Sequence, residues 1–197
     1  MSVDATTLVI PGHGTVFHAP VNTVPPATPL EAFNLQTDGP SPWKNLGHTS
    51  KQNTIAFTKE GGEKESIDTF LADAVRTTTS SVTWGVTVAA LQFDGATLDL
   101  AFNGEFDPAT GGYTVATPKP LSTALFLYFQ DSTGSVGFWI PNTEVSLGDA
   151  PSVDTAQFLE LPLSVSILSA ANSAIPAVEG RAGVFQIFKT GLAAPTP

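Results

Sequence analysis

Three histidines are the residues best suited to metal or acid–base chemistry in this sequence. His13, His18 and His48 do not follow the short intervals that separate the ligands of zinc sites. A hairpin could bring His13 and His18 together across the turn between them, but an exposed turn histidine explains His13 more simply. The sequence therefore predicts no metal site and no cofactor.

Two short motifs invite comparison with enzymes. Gly12-His13-Gly14 has the composition of loops that supply an oxyanion hole, but the chain has no Gly-x-Ser-x-Gly elbow to carry a nucleophile. Asp131-Ser132-Thr133-Gly134 has one residue too many for an aspartic-protease signature and no second copy, so a polar hairpin turn explains it. No pair of carboxylates is singled out for glycoside cleavage. The sequence predicts no catalytic residue and no enzyme.

A loop crowded with charge runs from Lys59 to Glu65. Its glutamates suggest a calcium site at first sight. Calcium loops, however, place oxygen ligands at alternating positions, and Lys59 and Lys64 interrupt that pattern. We therefore interpret the segment as a solvated loop.

The overall composition narrows the possible functions. Cysteine is absent, which excludes disulfides, thiolate metal ligands and a thiol nucleophile. Eight basic residues are scattered among eighteen acidic ones, so the sequence lacks the clustered cations that attract nucleic acid. Charged residues make up 13% of the chain, compared with roughly 25% in ordinary soluble domains. Such a surface is either covered by neighbours in an assembly or kept soluble by Thr and Ser, and both interpretations stay open.

Neither an export signal nor a membrane span is predicted. Asp4 stands where a secretory signal would carry Lys or Arg, and no apolar segment follows. The longest uncharged run, from Leu161 to Val178, contains Pro162 and Pro176, which makes it a poor spanning helix.

Most of the chain has the patterns of β-strands separated by turns. Val82, Trp84, Val86 and Val88 alternate with small or polar residues, which is the period of a half-buried strand. Leu121–Gln130 is nearly all apolar and is expected to be buried on both faces. The other predicted strands are Thr7–Ile10, Thr15–His18, Asn53–Thr58, Ser66–Leu71, Tyr113–Val115, Val136–Ile140, Thr143–Leu147, Gln157–Leu168 and Gly183–Phe188.

One short helix is predicted, over Ala96–Phe102. Asp94 is suited to cap its first turn, and Gly104 to end it. Leu98, Ala101 and Phe102 fall on one helical face. Upstream, the prolines of Val24–Pro29 predict an extended, helix-free segment. The residues assigned to the helix are Thr97, Leu98, Leu100, Ala101 and Phe102.

These elements predict an all-β fold with one short helix, an antiparallel β-sandwich or barrel. We expect an extended N-terminal arm over residues 1–42, containing a hairpin and a Pro-rich linker. The β-sandwich domain is expected over residues 43–190, followed by a flexible C-terminal tail over residues 191–197.

Several segments between Trp43 and Phe188 follow one another in an informative order. Trp43 and Leu46 stand three residues apart on irregular backbone, an anchor that fixes a loop against something apolar. The segments are Trp43–Ser50, the charged loop after the next strand, Asp73–Thr77, the β-run into Leu91-Gln92-Phe93, the helix over Thr97–Phe102, and Phe138-Trp139-Ile140-Pro141 followed by Glu144-Val145. In this order the chain resembles the tail tube protein, or major tail protein, of long non-contractile phage tails.

The resemblance implies a structural protein of the virion tail that is made in the host cytoplasm. Six copies would form a ring, and stacked rings would form a hollow tube through which DNA passes without specific binding. Partners implied are further copies of the chain, the tape measure protein, and the tail terminator and tip proteins, with no membrane. The Trp43–Glu65 region and the arm are assigned to contacts between subunits, with Trp43, Leu46, His48, Lys59, Glu63 and Glu65 as candidates.

Physical reasoning adds a hypothesis about the tube. An acidic lumen repels phosphate and prevents contacts that would stall DNA, so acids should outnumber bases on the inward strands. Two alternatives stay open. One is a carbohydrate-binding β-sandwich that uses Trp84 or Trp139, and the other is a related ring-forming protein, such as a tail terminator or a secretion-system tube protein.

Overall fold

The computed structural model describes residues 8, 10–171 and 174–191 of the 197. Thr7 and Val9 of the first predicted strand lie outside the described residues, as does the predicted tail from residue 192 onward. Leu8 and Ile10 are exposed and belong to no strand. No helix in these ranges is long and apolar enough to cross a membrane.

Twelve strands and two helices form the described part of the chain. The strands are β1 (His13–Ala19), β2 (Lys44–Asn45), β3 (Ala56–Glu60), β4 (Lys64–Thr69), β5 (Ala72–Thr79), β6 (Thr83–Ala90), β7 (Glu105–Asp107), β8 (Gly112–Thr114), β9 (Leu121–Gln130), β10 (Ser135–Leu147), β11 (Leu161–Ile167) and β12 (Gln186–Lys189). The helices are α1 (Pro29–Ala32) and α2 (Gly95–Phe102). All the strand pairings are antiparallel, which confirms the predicted all-β antiparallel class.

Eight strands form the main sheet, in the order β2-β1-β9-β10-β11-β6-β3, with β12 added beside β10. One edge of β10 pairs with β9 along nearly its whole length. The other edge pairs with β12 over Val136–Trp139 and with β11 over Thr143–Leu147. Since two strands use successive halves of the same edge, the sheet separates there into two layers that share β9 and β10.

Aromatic contacts show that the two layers fold over one another. The rings of Phe57 on β3 and Phe138 on β10 lie 5.0 Å apart, although two strands separate β3 from β10 in the sheet. Phe185, just before β12, contacts both Phe57 and Trp84 with ring centroids 5.7 Å apart. A flat sheet would hold β3 and β10 about three strand spacings apart, roughly 14 Å. The sheet is therefore rolled around a core, as a sandwich or barrel requires.

A second core lies on the opposite face of β1, β9 and β10. Phe33 stacks on Phe126, with ring centroids 4.4 Å apart, and Trp43 meets Phe33 edge-on at 5.6 Å. Phe17 of β1 has no exposed surface and joins the same cluster. The segment between β1 and β2 is thus a strap over the sheet. Phe17, Ala19 and Phe33 lie in this core, so these parts of the predicted arm pack on the sheet; the domain boundary at residue 43 stays a prediction.

The helix α2 begins and ends close to the predicted positions. The side chain of Asp94 accepts a hydrogen bond from the Thr97 backbone N–H at 2.9 Å, which confirms the cap. The last residue of α2 is Phe102, as predicted, and the residue that caps it is Asn103, in the left-handed conformation (φ 48°), one residue before the predicted stop at Gly104. Asn tolerates this conformation. The structure also contains a second helix that was not predicted, the four-residue α1. It begins at Pro29, the last residue of the segment predicted to be helix-free, and proline suits a first helical turn.

Several predicted strand limits also differ from the structure. β10 runs through Pro141-Asn142, where a break was predicted, because a register shift between Ile140 and Thr143 accommodates the proline. β11 begins at Leu161, four residues after the predicted start at Gln157. β7 was not predicted; it pairs with β8 in a small hairpin.

Candidate assembly surfaces

The hairpin of β4 and β5 stands apart from both cores. Each described side chain from Lys64 to Thr79 is exposed, and the two strands pair only with each other. An isolated two-stranded hairpin is at best marginally stable in water. In the described part of the chain, this hairpin therefore has no core of its own.

Two large apolar residues form the tip of this hairpin. Phe70 and Leu71 have relative exposures of 110% and 99%, the highest of the large hydrophobic residues described. The carboxylate of Asp68 accepts a hydrogen bond from the Ala74 backbone N–H at 2.6 Å, which fixes the turn behind them. Sequence reasoning placed Ser66–Leu71 on one strand and missed the tip. The three-residue interval between Ile67 and Phe70 already departed from the period of a strand.

A short hydrogen-bonded neck, at Gly61–Glu63 and Ser80–Ser81, joins the hairpin to β3 and β6. The Ser80 backbone N–H donates to the Glu63 carbonyl at 3.0 Å, and the Ser80 hydroxyl accepts from the Glu63 N–H at 3.1 Å. Gly61 has φ +75°, and a Cβ there would lie 2.0 Å from the Ser81 carbonyl oxygen. Only glycine fits that position. The neck holds Lys59, Glu63 and Glu65 exposed at the base of the hairpin.

The other predicted contact residues divide by burial. Trp43 and Leu46 are 2% and 3% exposed and pack in the two cores of the same chain, while His48 is exposed. The loop is fixed by the Leu46 N–H, which donates to the Val16 carbonyl at 2.8 Å, and by the His48 N–H, which donates to Gln92 Oε1 at 2.9 Å. The anchor that holds the loop is thus internal. Contact with another subunit stays a prediction for the exposed residues of the loop and neck.

The predicted helix residues serve the core. Thr97, Leu100 and Ala101 are buried, and Leu98 and Phe102 pack against the first core cluster from its margin. This amphipathic packing attaches α2 to β10 and β11. The helix therefore supports the sheet and offers few side chains to a partner.

One broad sheet face is left uncovered and carries small polar residues. Cross-strand registers place Ser122, Glu144, Ser166, Gly85 and Thr58 in one row across five strands. The next row on that face is Ser146, Ser164, Thr87 and Ala56. Glu144 is the one charged residue of these two rows, and neither row contains an aromatic or basic side chain. We call this surface the smooth face.

Acidic residues continue beyond one end of the smooth face. A groove of about 810 Å³ opens there, between β6, β11 and the loop that follows β10. Asp149 and Glu160 line it, and no Lys or Arg does. Asn53 Nδ2 donates to Glu160 Oε2 at 2.6 Å. The groove shares Thr87 and Ser164 with the smooth face, so Asp149 and Glu160 add negative charge next to its hydroxyls.

The histidines do not form a site. His13 and His18 lie on the same strand, β1, so no hairpin brings them together. His18 is partly buried, and its Nε2 has no hydrogen-bond partner within the described part of the chain. Burial lowers the pKa of His18, and the nearby carboxylates of Asp94 and Asp38 oppose that shift. Among the described residues, no group of three or more His, Asp or Glu side chains could hold a metal ion.

The structure does not support a carbohydrate-binding surface at Trp84 or Trp139. Trp139 is 2% exposed, and its indole N–H donates to the Thr23 carbonyl at 3.1 Å inside the second core. Trp84 is partly buried against Phe185, edge-on. Sugar-binding faces need aromatic rings that are open to solvent, and neither tryptophan offers one.

Comparisons with known proteins agree with this architecture. The profile of a family described as phage tail tube protein matches residues 1–178. The chain is also 25% identical over 162 residues to the protein named major tail protein Gp23 of Mycobacterium phage D29, an alignment that covers 79% of this chain and 81% of the relative. Since the profile spans most of the sequence, the chain belongs to the phage tail tube protein family, whose members are structural proteins of the virion tail.

Proposed function

We propose that six copies of this chain close into a ring, and that the rings stack into the hollow tube through which phage DNA passes. The observation that carries this proposal is the β4–β5 hairpin, which exposes Phe70 and Leu71 at a tip without a core of its own. A lone chain derives little stability from that arrangement. In a repeating assembly the tip can be buried, because each hairpin lies next to an identical subunit.

The hairpin is assigned to the contact between successive rings. Burying a fully exposed Phe or Leu contributes roughly 1.5–3 kcal/mol. The tip thus offers about 3–6 kcal/mol at each contact before the costs of association are subtracted. Exposed Lys59, Glu63 and Glu65 at the neck are the polar residues assigned to the rim of this contact. Exposed His48 lies at the other end of β6, beside Ala90, and its contact with another subunit stays a separate prediction. Because stacking repeats the same contact in one direction, it does not close and the tube can grow.

The open edges of the two layers are assigned to contacts within a ring. β3 ends one layer and β12 lies at the margin of the other, each with an unpaired edge in the described structure. Unpaired edges are prone to non-specific association unless they are covered. Pairing with the neighbouring subunit covers them and joins the sheets around the ring.

The smooth face is assigned to the lumen. Its hydroxyls and small side chains offer neither a cation for phosphate nor an aromatic ring for a base. Glu144, with Asp149 and Glu160 at the groove, gives it negative charge. Phosphate is repelled by such a surface, so DNA slides without the multivalent contacts that would hold it.

Negative-stain electron microscopy of concentrated protein tests the assembly. We expect stacked rings from the natural sequence, and loss of stacking when Phe70→Ser and Leu71→Ser are combined. The melting temperature should hardly change, since both side chains are exposed. Phe106→Ser, which removes an exposed Phe on β7, is the matched control and should still form tubes. Single rings from the natural sequence would favour a tail terminator, and monomers alone would refute self-assembly.

The absence of cysteine allows a separate test of the lumen. Ser164→Cys on the smooth face introduces the sole thiol of the chain, and Ala109→Cys on the exposed β7–β8 turn is the control. Gold-maleimide labelling of assembled tubes should place the label along the tube axis in the Ser164→Cys variant and away from the axis in the Ala109→Cys variant. A label on the outer wall of Ser164→Cys tubes would overturn the lumen assignment while leaving the assembly intact.

The further partners proposed for such a tube are proteins that contact its lumen or its two ends. A tape measure protein would occupy the lumen during assembly, and terminator and tip proteins would meet the last and first rings. The same smooth face and hairpin are assigned to these contacts. Co-sedimentation of tubes with each purified partner tests them one at a time.

A further inference from the structure

Asn103 and Gly104 form the sole Asn-Gly dipeptide of the sequence, and the fold restricts both positions. Asn103 is the left-handed residue that ends α2. A Cβ on Gly104 would lie 2.3 Å from the Thr114 carbonyl oxygen, so no larger residue fits. The fold therefore favours a dipeptide that is chemically labile.

The lability comes from a reaction within the backbone. The Gly104 nitrogen can attack Cγ of the Asn103 side chain, which forms a C–N bond, closes a five-membered succinimide and releases ammonia. Water then opens the ring at either carbonyl and leaves aspartate or isoaspartate. Glycine hinders this attack least because it has no Cβ. The Asn103 side chain is exposed, and no hydrogen bond restrains it in the described part of the chain.

One tyrosine opposes the reaction. The Gly104 N–H donates to the Tyr113 hydroxyl at 2.7 Å, and that hydroxyl donates to Asp99 Oδ1 at 2.6 Å. Desolvation, followed by the hydrogen bond to Asp99, raises the pKa of Tyr113, which favours the protonated phenol in this chain of hydrogen bonds. To attack, the Gly104 nitrogen must lose its proton and turn away from Tyr113. Both changes break this chain of hydrogen bonds.

We propose that Asn103 is a self-modification site whose deamidation is held back by the Tyr113–Asp99 latch on Gly104. Deamidation places a negative charge at the C-terminal end of α2, where the helix dipole disfavours it. Isoaspartate also adds one carbon to the backbone between Cα of residue 103 and the Gly104 nitrogen, which displaces the Gly104 N–H from the Tyr113 hydroxyl. The reaction would therefore loosen the end of α2 and the β7–β8 hairpin attached to it.

Peptide mass spectrometry after incubation at mildly alkaline pH tests the latch. Tyr113→Phe keeps the ring and removes the hydroxyl, and it should deamidate at Asn103 about tenfold faster, as expected when a barrier falls by about 1.4 kcal/mol. Tyr128→Phe, at the other tyrosine of the chain, is the matched control and should react as slowly as the natural sequence. Asp99→Asn weakens the latch without removing the ring and should give an intermediate rate.

Two results would overturn the proposal. The first is equal rates in Tyr113→Phe, Tyr128→Phe and the natural protein. The second is a natural protein that reacts as fast as an unstructured peptide of residues 99–107. Circular dichroism of each variant before incubation separates a loss of the latch from a loss of the fold.

Discussion

Trp43 and Trp139 provide a matched pair for testing the second core. Both are 2% exposed and lie in the same cluster. They differ in one respect, because the Trp139 indole N–H donates to the Thr23 carbonyl while the Trp43 indole N–H is buried without a partner within the described residues. Replacing each by Phe removes a similar volume, so the difference between the two variants reports the hydrogen bond.

The expected magnitudes follow from this difference. Trp43→Phe loses packing but also removes an unpaired buried donor that costs about 1–3 kcal/mol, so its net effect should stay within about 1 kcal/mol of zero. Trp139→Phe loses packing and a hydrogen bond, and leaves a carbonyl unpaired, so it should cost about 2–4 kcal/mol. Trp43→Ala opens a cavity among Phe33 and Phe126 and should cost about 3–5 kcal/mol.

Urea unfolding followed by circular dichroism, at a concentration below assembly, measures all three variants. The midpoint for Trp43→Phe should stay near that of the natural protein, while those for Trp139→Phe and Trp43→Ala should fall clearly. Equal losses for the two Phe variants would refute the role of the unpaired donor. An unchanged midpoint for Trp43→Ala, together with lost ring stacking, would instead place Trp43 in an intersubunit contact.

Three further predictions concern charge and capping. Burial lowers the pKa of His18, so the unfolded chain takes up a proton near pH 6.5 before the folded chain does. The free energy of unfolding should therefore fall as the pH drops below 6.5. Urea midpoints at several pH values should show this fall, and a smaller one in His18→Gln. Asp94→Ala should cost about 1 kcal/mol through the lost cap on α2 while Asp94→Asn retains most of it, measured by thermal unfolding. Glu144→Lys should leave tubes intact but make them retain short DNA duplexes in co-sedimentation, an effect that rising salt should weaken.

The strands that the sequence revealed most clearly are those whose environment is uniform along their length. Leu121–Gln130 is nearly all apolar, and its predicted limits are those of β9; the alternation of Val82 to Val88 marks β6. The cap at Asp94 was equally local, since one side chain and one backbone N–H three residues later define it.

The features that sequence reasoning missed depend on contacts between distant segments. Nothing local separates Trp43 as an internal anchor from Trp43 as a surface anchor; its partner Phe126 lies in β9, far along the chain. From its sequence alone, the segment between β1 and β2 is interpreted as an extended arm, because its prolines are compatible both with an arm and with a strap packed on the sheet. The smooth face emerges from registers across five strands, which no single segment encodes.

The sharing of β9 and β10 between the layers has a consequence for how the chain reaches its native state. These two strands are joined by the turn at Asp131–Gly134, so they can pair as soon as both have left the ribosome. Their other neighbours are remote: His13 meets Gln130, and β12 is synthesised near the end. Pairings between such distant segments slow folding to roughly milliseconds to seconds. We therefore expect the nascent chain to form the β9–β10 hairpin first, and to acquire the completed edges needed for polymerisation only after its last strand has docked.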